Sequence, residues 1–382
     1  MLLNRSLGAM AFGTFALGIA EFSMMGILTD VAQSMSISIP TAGNLISAYA
    51  AGVSVGAPAL LLLRRYPLKH TLLLLAALIF IGNCFAALSP SYHTLLAARF
   101  ISGLPHGAFF GTGAIVATRL VPEGRGAEAI ALMVGGMTVA NVVGVPGATF
   151  ISNVLSWRVA FALVALWGAI AFIGIRCWVP DVAPLPDRGF KGQFAFLKSG
   201  APWLIFAGTF FGQGSVYCWY SYVEPIMTQV TGFPTDSMTV IMVIAGFGMV
   251  TGGLVGGRLA DKFHPAVVSG TLAASMLIVL PLIYLCSEMK VVSVVLMFIA
   301  TASLFGLGGP LQYLIVKYSK GGEMLGGAGI QIAFNVSNAL AAALGGMAIR
   351  AGWGLTSPAL VGMPLALAGA LALWRLHRRY GA

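Results

Sequence analysis

The stretch GMVTGGLVGGRLADKFHP, residues 248–265, starts apolar and glycine-rich and ends in Arg258, Asp261 and Lys262. Small residues at that density let helices approach closely within a bilayer. The abrupt change to charge marks where such a helix leaves the hydrocarbon. An earlier stretch, GVSVGAPALLLLRRYP at 52–67, follows the same plan and runs into Arg64 and Arg65. A second pair recurs at nearly the same offset: ALMVGGMTVANVVG (131–144) and AGIQIAFNVSNALA (328–341), which sets Asn141 against Asn338. Matches at a shared spacing indicate an internal duplication. Duplicated groups of membrane helices around a central cavity are the architecture of many alternating-access carriers.

The rest of the chain fits that reading. Of 382 residues, 58% are hydrophobic and 8% charged, with a mean hydropathy of +0.92. A soluble domain carries about 25% charged residues. Twelve apolar runs lie near 7–29, 41–62, 71–89, 94–118, 128–151, 159–179, 202–223, 237–257, 266–286, 291–316, 324–348 and 357–375. Each is close to the ~20 residues a helix needs to cross a bilayer. Open sheet edges are excluded from lipid and barrel-type alternation is missing, so an all-α membrane protein follows. The longest polar connection, VPDVAPLPDRGFKGQFAFLKSG at 179–200, falls at the midpoint. It divides a six-helix bundle at 1–180 from a second at 201–382, with a cytoplasmic linker at 181–200.

The net charge of +10 does not imply nucleic acid, because the basic residues sit in short loops. With the N-terminus inside, the outer side receives only Arg158, Lys290 and Arg350, and Arg99 lies within a span. That bias places both termini in the cytoplasm. The first apolar run is too long for a signal peptide and contains Glu21, so it reads as a retained span. Cys84, Cys177, Cys218 and Cys286 show no metal or redox spacing and read as packing residues.

From Met10 to Leu28 the sole ionisable side chain is Glu21. A rise of 1.5 Å per residue puts Glu21, Arg99 and Asn141 at about 21, 22 and 20 Å above the cytoplasmic face. An acid and a guanidinium at one depth can neutralise each other. The pair reads either as a fixed structural ion pair or as a proton site, its protonation set by burial and the nearness of Arg99. His106 follows two turns after Arg99 in SGLPHGAFFG and offers a second relay or substrate contact, or simple packing.

Asn141, Gly144, Pro146 and Gly147 form a small, kinkable stretch suited to sealing a cavity or to tight packing. Gln331, Asn335 and Asn338 share one helix face, as do Gln213 and Tyr217 in FFGQGSVYCWYSYVEP. These amides and aromatics suit hydroxyl-bearing ligands in a cavity, or interhelical hydrogen bonds. The aromatics beside Trp219 also suit an interfacial belt. Glu224 reads as a solvated loop charge. Gly257, Arg258 and Asp261 suit a latch between the halves, or positive-inside charges with one counterion.

No catalytic or nucleotide-binding motif is present, so the chain reads as a non-enzyme with no metal and no cofactor, driven by an ion gradient. Its expected partners are a small-molecule substrate, protons and the lipid bilayer, without nucleic acid, acting as a monomer.

GRLADKFHP, RFISGLPHG and NVVGVPG together resemble the signatures of the major facilitator superfamily. The resemblance covers all twelve spans. It puts Arg99 in the arginine position of the fourth span, and Gly144, Pro146 and Gly147 in the antiporter motif. The loop motif keeps its acid only in the second half, at Asp261. AEFSMMGILTDVA, SGLPHGAFFG and MTVANVVGVPG narrow the likeness to the arabinose-efflux-permease and sugar-efflux branch of the drug:proton antiporters. The resemblance implies proton-coupled efflux of sugars such as arabinose, or of amphipathic drugs and metabolites, across a bacterial inner membrane, with Glu21 protonated in the cycle. A uniporter or importer of the same fold, and a non-transporting receptor or scaffold, are the alternatives.

Overall fold

The computed structural model of the protein describes residues 2–58, 63, 66–122, 125–184, 194–320 and 322–381. Arg64, Arg65, Arg188, Lys191 and the middle of the expected linker, 185–193, lie outside the described residues. Among the described residues the regular structure is helical. The rods are α1 (Leu2–Gly26), α2 (Ile39–Gly56), α3 (Leu68–Leu88), α4 (Tyr92–Arg119), α5 (Gly126–Val139, continuing to Val154) and α6 (Trp157–Trp178). They continue with α7 (Gly200–Tyr220), α8 (Met238–Lys262), α9 (Pro265–Cys286), α10 (Lys290–Tyr318), α11 (Glu323–Arg350) and α12 (Ser357–Tyr380). Ten of these are long and apolar enough to cross a membrane. The other two are α2 and α7. From Gly212 to Tyr220 every residue of α7 is buried.

Two crossings show the duplication in three dimensions. A Cβ added to Gly52 would strike the Phe100 carbonyl, and one on Gly56 the Leu104 carbonyl, so α2 lies backbone to backbone on α4. In the second half Gly248 and Gly252 meet the carbonyls of Phe298 and Ala302 in the same way, packing α8 on α10. Only glycine allows so close an approach.

Prolines shape the two helices that carry candidate residues. Pro105 lacks an N–H, so α4 breaks at Leu104, whose own N–H turns back to the Ile101 carbonyl at 3.2 Å. In α5, Pro146 removes another donor and the turn before it widens into a π-helix over Ala140–Gly144. Asn141 sits in that turn.

Apolar clusters hold α1–α6 together, with Leu17, Leu72, Phe109 and Met133 buried, and α7 with α9–α12, with Ile205, Leu311 and Leu373 buried. A third cluster spans both groups, from Met24 and Leu45 to Met242 and Tyr222. Three hydrogen bonds between described residues cross from one group to the other. Thr29 N–H donates to Glu224 Oε2, Ser47 Oγ–H to the Ala339 carbonyl, and Asn153 Nδ2 to the Thr235 carbonyl. All three lie toward the end of the bundle remote from the chain termini. Gly246 also lies against the Asn141 carbonyl, closing α8 onto α5. At the end that carries the termini no hydrogen bond among the described residues joins the groups.

Candidate functional site

The tight α2–α4 crossing brings Tyr49, Arg99 and His106 into one buried cluster beside Glu21 of α1. Glu21 is 2% exposed, Arg99 0% and His106 4%. The expected direct pairing of Glu21 with Arg99 does not occur. Arg99 instead donates through Nη1 to the Ala20 carbonyl at 2.7 Å and through Nε to the Leu45 carbonyl at 3.4 Å. Its guanidinium lies 4.4 Å from the Tyr49 ring centre and 5.4 Å from that of Phe161. These carbonyls and π faces steady the side chain without a carboxylate against it, while its buried Nη2 has no partner among the described residues.

The group nearest the acid is His106, whose Nε2 lies 3.7 Å from Glu21 Oε2. His106 Nδ1 is hydrogen-bonded to the Tyr49 hydroxyl at 2.9 Å, and its ring stacks on Phe110. Tyr49 therefore joins the imidazole to the guanidinium: its hydroxyl meets the first and its face meets the second. Sequence reasoning missed Tyr49, because an uncharged tyrosine in an apolar span carries no signal until the helix facing it is known.

Neither oxygen of Glu21 accepts a hydrogen bond of ordinary geometry from the described residues. Arg99 acts on the carboxylate from α4, while the Asn338 amide stands beside it from α11. Tyr217 of α7 also lies in the field of Glu21, and its buried hydroxyl has no partner among the described residues. Glu21 thus stands where the two six-helix groups meet.

The other expected residues divide. Tyr217 packs edge-on against Phe334 at 5.5 Å, and Asn335 Nδ2 donates to the Gln331 carbonyl at 3.0 Å. The amide oxygens of Asn141, Asn335 and Asn338 are buried and unpaired among the described residues. Gln213 is turned into its own group, donating to the Leu304 carbonyl at 3.3 Å. Gly144 fits against Ile19 of α1, Pro146 is buried, and Gly147 faces open space. Gly257 also faces open space, and Arg258 and Asp261 are exposed without an ion pair among the described residues.

Two further expectations are overturned. Tyr217, Trp219 and Tyr220 are at most 1% exposed, so they are core residues of α7 and not an interfacial belt. Glu224 is 2% exposed and is not a solvated loop charge.

Residues 10–330 match the family described as the Major Facilitator Superfamily. The chain belongs to the major facilitator superfamily. It is 44% identical over 373 residues to AraJ of Escherichia coli (strain K12), covering 97% of this chain and 94% of AraJ. It is 35% identical over 374 residues to the inner membrane transport protein YdhP of the same strain, covering 98% and 95%. The fold is similar to that of a D-xylose–proton symporter, with a TM-score of 0.75, 16% identity, and 98% and 96% of the two chains covered. This superfamily member is accordingly a multi-pass membrane transporter with a buried ionisable cluster at the meeting of its halves.

Proposed function

We propose that the chain exports small molecules by proton-coupled antiport across a bacterial inner membrane, with both termini cytoplasmic. The observation that carries this reading is Glu21 itself. It is a dry carboxylate between Arg99, His106 and Tyr49 of one group and Asn338 and Tyr217 of the other. An ionisable residue kept there is costly and marks a proton or substrate path.

The groups present supply the steps. Arg99 is tied to the carbonyl of Ala20, next to Glu21, so sliding of α1 against α4 changes the field on the acid. His106 lies on the side of Arg99 nearer the termini, and after reorientation it can pass a proton between Glu21 and the cytoplasmic end. The unpaired amide oxygens of Asn141, Asn335 and Asn338, with Gln331 alongside, suit the hydroxyls of a sugar such as arabinose. Tyr217 and Phe334 suit the apolar face of a sugar or an amphipathic drug. Gln213, whose side chain is turned into its own group, contributes only if α7 rotates. Gly144, Pro146 and Gly147 form the flexible seal, and Gly257, Arg258 and Asp261 close the cytoplasmic end in the opposite state. On this orientation the three cross-group hydrogen bonds among the described residues lie toward the outer end, which supports reading this conformation as inward-facing. The protein acts as a monomer without cofactor and is not an enzyme.

The test is transport by the purified protein in proteoliposomes, with an imposed pH gradient and a panel of sugars and hydrophobic drugs. Efflux that collapses with the gradient supports antiport. Counterflow at the same rate without a gradient would make the chain a uniporter.

A further inference from the structure

A second buried acid stands at the outer end of the seam, away from the Glu21 cluster. Glu224 lies in the connection between α7 and α8, outside both spans, and is almost wholly enclosed. One carboxylate oxygen accepts the backbone N–H of Thr29 at 2.8 Å, from the opposite six-helix group. The other has the Thr228 hydroxyl at 3.4 Å. Asp30, on the same short helix as Thr29 (Leu28–Ser34), is the charged neighbour acting on it, and Ser152 of α5 donates to Asp30 at 2.6 Å. No cation pairs with Glu224 among the described residues.

We propose that Glu224 is a second proton-binding site, read from the outer face, and that its protonation holds the outer seam shut. An ionised carboxylate in a dry seam with one good donor and a like charge nearby is disfavoured. Burial pushes Glu224 up to about 7, the Thr29 contact opposing and Asp30 adding to the effect. Parting the seam returns the group to water and to the ordinary glutamate value of about 4.3. The closed seam therefore binds the proton more tightly than the open one. By linkage, acid favours closure, and that preference is lost as pH rises through about 7.

The sign separates this site from the coupling carboxylate. A proton bound here is released outward as the seam opens, so Glu224 sets how readily the outer end opens and does not carry protons inward. The inference rests on the halves opening alternately, and not on Glu21 exchanging a proton.

The full chain in lipid nanodiscs, with its native cysteines replaced, is spin-labelled at Gln33 and Asp236, exposed residues on either side of the seam. Distances are measured at about pH 5.5 and about pH 8.5. The expected result is a short distance at the lower pH and a growing longer population at the higher one. Glu224→Gln, always neutral, should give the short distance at both. Thr29→Pro leaves the acid in place but removes both the N–H and the hydroxyl that steady its ionised form, so the seam should be more open at the higher pH. Proline is tolerated in a first helical turn. Glu21→Gln should leave the response unchanged. A wild type that does not respond overturns the proposal, as does an equal response in Glu224→Gln. A response lost in Glu21→Gln and kept in Glu224→Gln would assign it to the transport site.

Discussion

At Arg99 the chemistry depends on shape as much as on charge. Its fork spans the Ala20 and Leu45 carbonyls while its plane rests on Tyr49. A lysine ammonium reproduces neither the fork nor the stacking. Arg99→Lys is therefore expected to lose transport nearly as fully as Arg99→Ala, by at least about tenfold, the factor that ~1.4 kcal/mol represents. Uptake of labelled substrate into inverted vesicles checks this, and a Lys variant of normal rate would reduce Arg99 to a simple counter-charge. Tyr49→Phe keeps the ring beneath Arg99 but frees His106 Nδ1, so it should slow transport while leaving thermal stability close to wild type. Equal rates for Tyr49→Phe and wild type would remove the tyrosine from the relay. Glu21, Arg99 and His106 were all legible in the sequence, because ionisable residues are conspicuous in an apolar run and depth follows from helix rise. Their exact partners were not. Depth alone says nothing of rotation about the helix axis, and rotation is what turns Arg99 toward a backbone carbonyl and His106 toward the acid.

Among the elements, glycine placement decides which helices can touch. Gly52 and Gly246 are pressed on the Phe100 and Asn141 carbonyls, whereas Gly253 and Gly257 face open space. Gly52→Val and Gly246→Val should each destabilise the protein by about 1–3 kcal/mol, the usual cost of overpacking. Gly253→Val should be nearly neutral. Thermal unfolding in detergent distinguishes them, and similar melting shifts at all three positions would contradict the packing described. The span boundaries and the repeat were readable because apolar length and charged loops follow directly from the bilayer. Glu224 was misread for the opposite reason. It lies beyond the end of a span, where sequence position suggests solvent, and only the approach of the Leu28–Ser34 helix from the other group buries it. The aromatic run of α7 misled similarly, since rings suited to a membrane interface also suit a core between bundles.

For the whole molecule, the hydrogen bonds that join the groups among the described residues lie toward the end remote from the termini. Ser47 donates to the Ala339 carbonyl at 2.7 Å, so cysteines at Ser47 and Ala339 should react with a short bifunctional reagent. Linked protein should be arrested, and transport should return when a cleavable linker is cut. Full transport in the linked state would mean that α2 and α11 do not part during the cycle.

The central claim is that Glu21 exchanges a proton as substrate binds. Purified protein in weakly buffered detergent with a pH dye measures it directly. Adding a substrate identified by the transport screen should release protons from the wild type, and none from a Glu21→Gln variant that still binds it. Undiminished proton release from Glu21→Gln would contradict the claim and leave the carboxylate as a structural group.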